Sequence, residues 1–306
     1  MKRNMPLFAL LALLLCSCAP TPKQPQQQVD FGRLEIHEHF PSKHFPSRNV
    51  LVWLPEDYNP SERYAVLYMH DAQMLFDATT SWNKQTWNVD SVATAVQRDG
   101  RCRPFIVVGI ENHPTDRLTE YMPQRALDYL PAENPLLQKF DRAAFLADGY
   151  LKFLVEELKP FIDSTYATHT DRAHTAVMGS SMGGLISLYA LVEYPEVFGG
   201  AGCLSTHTPV AIDNIRAEAP AWSKAFRDYL NDALPAVGAH RVYMDYGDQT
   251  LDAAYGPYQQ QVDSLFAARG WGEEHFRTLF FAGHAHDEIS WQKRLNVPME
   301  WLLGGN

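Results

Sequence analysis

The sequence predicts an α/β fold: one mostly parallel central sheet, helices on both faces, in a single domain. Three observations carry this. From Phe31 onward, short apolar runs alternate with longer amphipathic ones. Several short runs, such as Phe105 to Ile110, are apolar without alternation, as central parallel strands covered on both faces require. At 306 residues and 46% hydrophobic, the chain can build one substantial core, with no internal repeat and no second linker.

The elements follow in order. Lys2 and Arg3 form a positive start, and Leu7 to Leu15 an apolar run too short to span a bilayer. Leu15-Cys16-Ser17-Cys18 then resembles a bacterial lipobox, with Cys18 as the lipidated first residue of the mature chain. An ordinary signal peptide cut near Ala19 is the alternative. Residues 1–17 are thus read as a lipoprotein signal, 18–29 as a Pro- and Gln-rich flexible tether, and 30–306 as the folded domain. This implies lipid anchoring in the cell envelope, on a periplasmic or outer-membrane face. Expected strands are Val50–Leu54, Ala65–Met69, Phe105–Ile110, Thr175–Met178, Gly199–Leu204, Arg241–Tyr246 and Arg277–Phe281. The clearest helix runs from Arg142 to about Asp163, with Leu151, Leu154, Val155 and Leu158 on one face and a break expected near Pro160. Leu185–Tyr194, Ala221–Leu234, Ala253–Arg269 and Ser290–Leu303 complete the set.

Charge and cysteine content narrow the function. With 36 acidic against 26 basic residues the chain carries −10, which repels a phosphate backbone and argues against a nucleic-acid partner. Cys102 and Cys203 lie in or beside apolar runs and read as small buried hydrophobes, although a disulfide between them stays open. The four cysteines lack zinc-site spacing.

The strongest chemical signal is Gly179-Ser180-Ser181-Met182-Gly183, a G-x-S-x-G motif after an apolar strand and before a helix. A serine nucleophile must project from a turn so tight that the flanking positions tolerate almost no side chain, hence the two glycines. Ser180 stands at the wrong place in the motif. The hydroxyl needs a base, and the fold that carries this motif orders its triad Ser, acid, His. After the last strand come His284 and His286, which compete for that role; a metal pair is disfavoured because no third ligand stands at recognisable spacing. The acid should follow Arg241–Tyr246, leaving Asp248 and Asp252, with Asp245 inside the strand. Asp252 also reads as the N-cap of the helix starting near Ala253.

Here a resemblance becomes specific. Tyr68 to Gln73, Val108 to Asn112, Arg117 to Pro123, Met178 to Gly184, and Gly283-x-x-His286-x-x-x-x-Trp291 appear in the order of the esterase family that includes enterochelin esterases, feruloyl and acetyl-xylan esterases and mycolyltransferases. The resemblance implies an α/β-hydrolase fold and a serine carboxylic-ester hydrolase that works through an acyl-enzyme, with neither cofactor nor metal. It implies His286 rather than His284, because the Trp lies five residues on, and Asp252 rather than Asp248, by its distance beyond Gly247. It implies backbone donors to an oxyanion at Met182 and, in a loop where relatives carry Gly, at Ala72. Arg117 borders the site in relatives and is a candidate to hold an acidic or phenolic group; an ion pair with Glu120 is the alternative. His207 faces the same choice, and Trp82 and Trp87 are candidates either for ring stacking or for core packing. The expected substrate is an acetyl or feruloyl ester on polysaccharide. A siderophore ester, an acyl transfer to an acceptor other than water, and a non-catalytic envelope-binding role are the alternatives. The oligomeric state is left open.

Overall fold

The computed structural model describes residues 27–139, 141–209 and 219–305. Residues 1–26, which contain the expected signal, Cys18 and most of the tether, lie outside them. The strands are β1 (Arg33–Phe40), β2 (Arg48–Leu54), β3 (Ala65–His70), β4 (Phe105–Ile110), β5 (Thr175–Ser180), β6 (Gly200–Leu204), β7 (Arg241–Tyr246) and β8 (Phe276–Phe280). They form one sheet in the order β1-β2-β4-β3-β5-β6-β7-β8. β2 runs antiparallel to β1 and β4, and every other pairing is parallel. This is the α/β-hydrolase architecture that the motif implies.

Residue alternation assigns each face of the sheet to its own core. Val50, Val52, Val66 and Tyr68 pack with Leu154, Leu185 and Phe226 on one face. Leu51, Trp53, Leu67 and Met69 pack with Trp87, Val96 and Leu302 on the other. β3, β4, β5 and β6 are buried along their whole length, which explains their unbroken apolar runs. Cys102 and Cys203 are free thiols buried on opposite faces, so the open question of a disulfide is answered.

Three helices depart from expectation. Arg142–Ala144 is a separate turn capped by Asp141; the long helix starts at Ala147 and passes Pro160 unbroken to Thr165. A wider π turn over Phe153–Leu158 precedes the proline, and Pro160 falls in the first turn of Lys159–Thr165, so its missing N–H is absorbed without a break. The C-terminal helix divides into Glu288–Gln292 and Asn296–Leu303, the second with Pro298 in its first turn. The helix expected from Ala253 runs Gly256–Ala268; Asp252 sits in a preceding 3-10 turn, Thr250–Ala254, and does not cap that helix.

Candidate active site

The predicted site residues gather at the carboxyl ends of β3 and β5 to β8, where open α/β sheets bind ligands. Ser181 follows β5 and precedes the helix Met182–Glu193 at φ 58°, ψ −120°, a conformation that non-glycine residues rarely hold. The turn is fixed from two sides. Its N–H donates to Leu204 O at 2.9 Å, and its carbonyl accepts from His207 N at 3.1 Å. A Cβ on Gly179 would come within 2.8 Å of the Gly183 backbone, and one on Gly183 within 3.3 Å of Asp71 Oδ2. Gly184, outside the motif, is equally required: its Cβ would lie 2.7 Å from Thr206 Oγ1. Met182 opens its helix and Ala72 opens the turn Ala72–Met74. The N–H groups at such positions have no acceptor within the helix and are available to a ligand.

His286 meets Asp252 across the β7 and β8 ends: Nδ1 lies 2.7 Å from Asp252 Oδ1. Asp252 is 1% exposed. Burial pushes its carboxyl up, yet hydrogen bonds from His286, Ser205 Oγ at 2.6 Å and Gly247 N at 2.7 Å outweigh this and hold it below the usual range. The His286 ring is boxed edge-on by Trp291 at 5.0 Å and Tyr255 at 5.6 Å, with His207 at 6.5 Å. The spacing to Trp291 therefore has a physical reason: the indole is one wall of the imidazole. Asp248 turns away, accepting from Gly283 N and Gln249. His284 Nδ1 lies 3.3 Å from Ser290 O and 3.2 Å from Arg294 Nη1, and its carbonyl accepts from Asp248 and Gln249 N–H groups, which ties the loop together.

Around this constellation the other candidates divide. Arg117 does not pair with Glu120. It grips Asp71 through Nε at 2.8 Å and Nη2 at 2.6 Å, and Asn112 also donates to that carboxylate. Glu120 is instead buried against Arg48. Asp71 itself stands at φ 59°, at the loop that carries Ala72. His207 bonds the Tyr255 hydroxyl, and burial, reinforced by His286 and Arg117, lowers its pKa to about 3, so it stays neutral. Trp87 is core, packed against Trp291 at 5.5 Å, whereas Trp82 is 81% exposed. Its neighbour Asn83 bonds Glu288 at 2.6 Å, tying the Trp82 loop to the His286 segment.

Sequence reading missed Asp71, Ser205, Tyr255 and Arg294. Asp71 lies within the Tyr68 to Gln73 stretch that carries the resemblance, whereas nothing in the sequence marks out Ser205, Tyr255 or Arg294. Among the described residues, one group of potential metal ligands converges: His169, Asp171 and His174, within 4.8 Å of one another. It precedes β5, at the far end of that strand from Ser181. Asp171 there caps the turn, accepting from Ala173 N at 3.0 Å.

The chain is similar to several known proteins. The uncharacterised protein YbbA of Bacillus subtilis is 23% identical over 267 residues, 85% of this chain and 94% of that protein. The endo-1,4-beta-xylanase/feruloyl esterase of Xylanibacter ruminicola is 30% identical over 183 residues, 54% of this chain but only 21% of that larger protein. The enterobactin esterase of Shigella flexneri superposes with a TM-score of 0.61 at 17% identity, covering 92% of this chain and 64% of that one. The model of the Esterase family matches residues 46–301. That span takes in every residue of the constellation just described, and the chain belongs to the Esterase family.

Proposed function

We propose that the chain is a serine carboxylic-ester hydrolase in which Ser181 is the nucleophile, His286 the general base and Asp252 the acid. The observation that carries this is the 2.7 Å contact between His286 Nδ1 and Asp252, together with a serine held at positive φ whose carbonyl accepts from His207 N, the neighbour of the His286 ring. With Nδ1 donating to a carboxylate, Nε2 is left without a proton and can take one from a hydroxyl. Ser181 Oγ attacks the ester carbonyl as His286 removes its proton. The Met182 and Ala72 N–H groups receive the developing oxyanion, each such donor being worth about 3 kcal/mol in comparable hydrolases. The alcohol leaves with the proton from His286, and a water activated the same way releases the acid from Ser181. Cofactor and metal play no part in this sequence.

The substrate class we favour is an acetyl or feruloyl ester on polysaccharide. The similarity to a xylanase/feruloyl esterase supports it. So does Trp82, whose exposed indole stands on a loop bonded to the His286 segment, where it can stack on a sugar or aryl ring beside the reacting ester. Arg117 and His207 would line the acyl side: Arg117, 32% exposed, keeps part of its cation toward solvent, and His207 offers a neutral imidazole. The carboxylate on His286 favours this reading over a siderophore esterase working with a Ser–His dyad. Lipidation at Cys18 would hold the enzyme in the cell envelope. The test is an ester panel of p-nitrophenyl acetate, acetylated xylan, methyl ferulate and a catecholate trilactone. We expect turnover of the first three; hydrolysis of the trilactone alone would overturn the polysaccharide assignment.

A further inference from the structure

Ser205 leaves β6 at φ 40° and is fully buried behind the site. Its Oγ makes three contacts: Asp252 Oδ2 at 2.6 Å, the Trp291 indole nitrogen at 2.9 Å and Arg294 Nη2 at 2.8 Å. The chemistry of the partners fixes the direction of each bond. An indole N–H and a guanidinium have protons to give and no lone pair to offer, so both must donate to Oγ. They fill its two lone pairs, and the hydroxyl proton is left with one acceptor, the Asp252 carboxylate. Arg294 cannot drift away to release this lock, because Asp245 holds it at 2.9 Å through Nη2 and 3.2 Å through Nε. Asp245 is itself buried and takes further hydrogen bonds from Tyr243 O–H at 3.0 Å and Ser205 N–H at 3.1 Å.

We infer that Ser205 is a positioning residue of the reaction: its hydroxyl, locked as a donor by Trp291 and Arg294, holds the Asp252 carboxylate where Oδ1 accepts from His286 Nδ1. The inference rests on the proposed roles of Asp252 and His286. It assigns Trp291 a second task. The same side chain walls the imidazole with its ring and commits the serine proton with its N–H. Because the hydroxyl helps to keep Asp252 below the usual carboxylate range, its loss also makes the acid easier to protonate.

Steady-state hydrolysis of p-nitrophenyl acetate by the purified full chain tests this. Ser205→Ala should lower kcat about 10- to 100-fold, the usual cost of removing a partner that orients a working group. KM should stay within about twofold, since Ser205 touches no substrate, and the acidic limb of the kcat/KM profile should move to higher pH. Ser205→Thr, which restores the hydroxyl, should recover most of kcat. Trp291→Phe keeps the ring but frees one lone pair, and should cost several-fold in kcat with KM unchanged. A Ser205→Ala enzyme with the parent kcat and the parent acidic limb overturns the inference. Should that variant not fold, a Trp291→Phe enzyme with the parent kcat does the same. Asp252→Asn separates the two levels. An inactive Asp252→Asn beside an unaffected Ser205→Ala rejects this inference alone, whereas an active Asp252→Asn rejects the proposed triad with it.

Discussion

Asp248 and Asp252 both follow β7, yet they meet different partners: one a loop N–H, the other the His286 imidazole. The difference is a physical one. A carboxylate can sit buried and ionised only where donors converge on it, and Asp252 has His286, Ser205 and Gly247. Asp252→Asn should therefore lower kcat by orders of magnitude, about 10⁴-fold where the same change has been made in a serine protease. Asp248→Asn should leave kcat near the parent value. Steady-state kinetics on one chromogenic ester separates the two, and a crippled Asp248→Asn enzyme would move the acid. The histidines divide likewise: His286→Ala should lose activity by orders of magnitude, while His284→Ala should retain most of it. Equal losses would mean that the pair acts together. Trp291 was legible as a spacing marker for His286, but its contact with Ser205 was not, because that hydrogen bond joins residues 86 apart in the chain.

At the level of elements, the turn around Ser181 is held by close backbone approaches. Gly179→Ala places a methyl 2.8 Å from the Gly183 backbone, where no flexible side chain can give way. We expect a loss of about 1–3 kcal/mol, the usual cost of overpacking, together with loss of ester turnover. Thermal melting and kinetics on the variant check this, and a variant that melts and turns over like the parent would contradict the close approach. The interior strands were readable because apolar runs flanked by turn residues admit few other interpretations. β1 was not: Arg33–Phe40 carries Glu35, His37, Glu38 and His39 and lies half-exposed at the sheet edge, so its apolar content is that of a loop. The helix Val89–Arg98 was missed for another reason. Its buried positions Val89, Ala93 and Val96 follow the right period, but the β-branched and small residues among them make a faint apolar stripe. Pro160 misled in the opposite sense, since a π turn is a feature of the backbone that leaves no mark on residue types.

For the whole molecule, buried titratable groups set the response to pH. Burial lowers the pKa of His70 and of His207 to about 3. In the unfolded chain both protonate near pH 6.5. As pH falls below that value the unfolded state gains protons first, so stability is lost from about 6.5 down to about 3, by up to about 1.4 kcal/mol per pH unit for each histidine. Asp71 and Asp252, held below the ordinary carboxylate range, add a further loss in strong acid. Melting temperature should therefore drop steadily between pH 7 and 4.5, and His70→Gln should flatten the slope; a level profile would contradict the neutral buried state. No helix among the described residues is long and apolar enough to cross a membrane. The anchor proposed from the sequence is the lipid on Cys18, and Cys18→Ser should move the protein from the membrane fraction to the soluble fraction. Persistent membrane association would refute it.

In the proposed mechanism Ser181 forms a covalent acyl-enzyme. A fluorophosphonate probe reacts preferentially with a serine whose hydroxyl is activated by a base, and it leaves a countable adduct. Intact-mass measurement on the parent chain should give a single adduct, mapped by peptide sequencing to Ser181, with ester hydrolysis lost in step with labelling. Ser181→Ala should take up no probe and turn over no ester, while Ser180→Ala should do both. Labelling at Ser180, or undiminished hydrolysis by Ser181→Ala, would rule out Ser181 as the nucleophile.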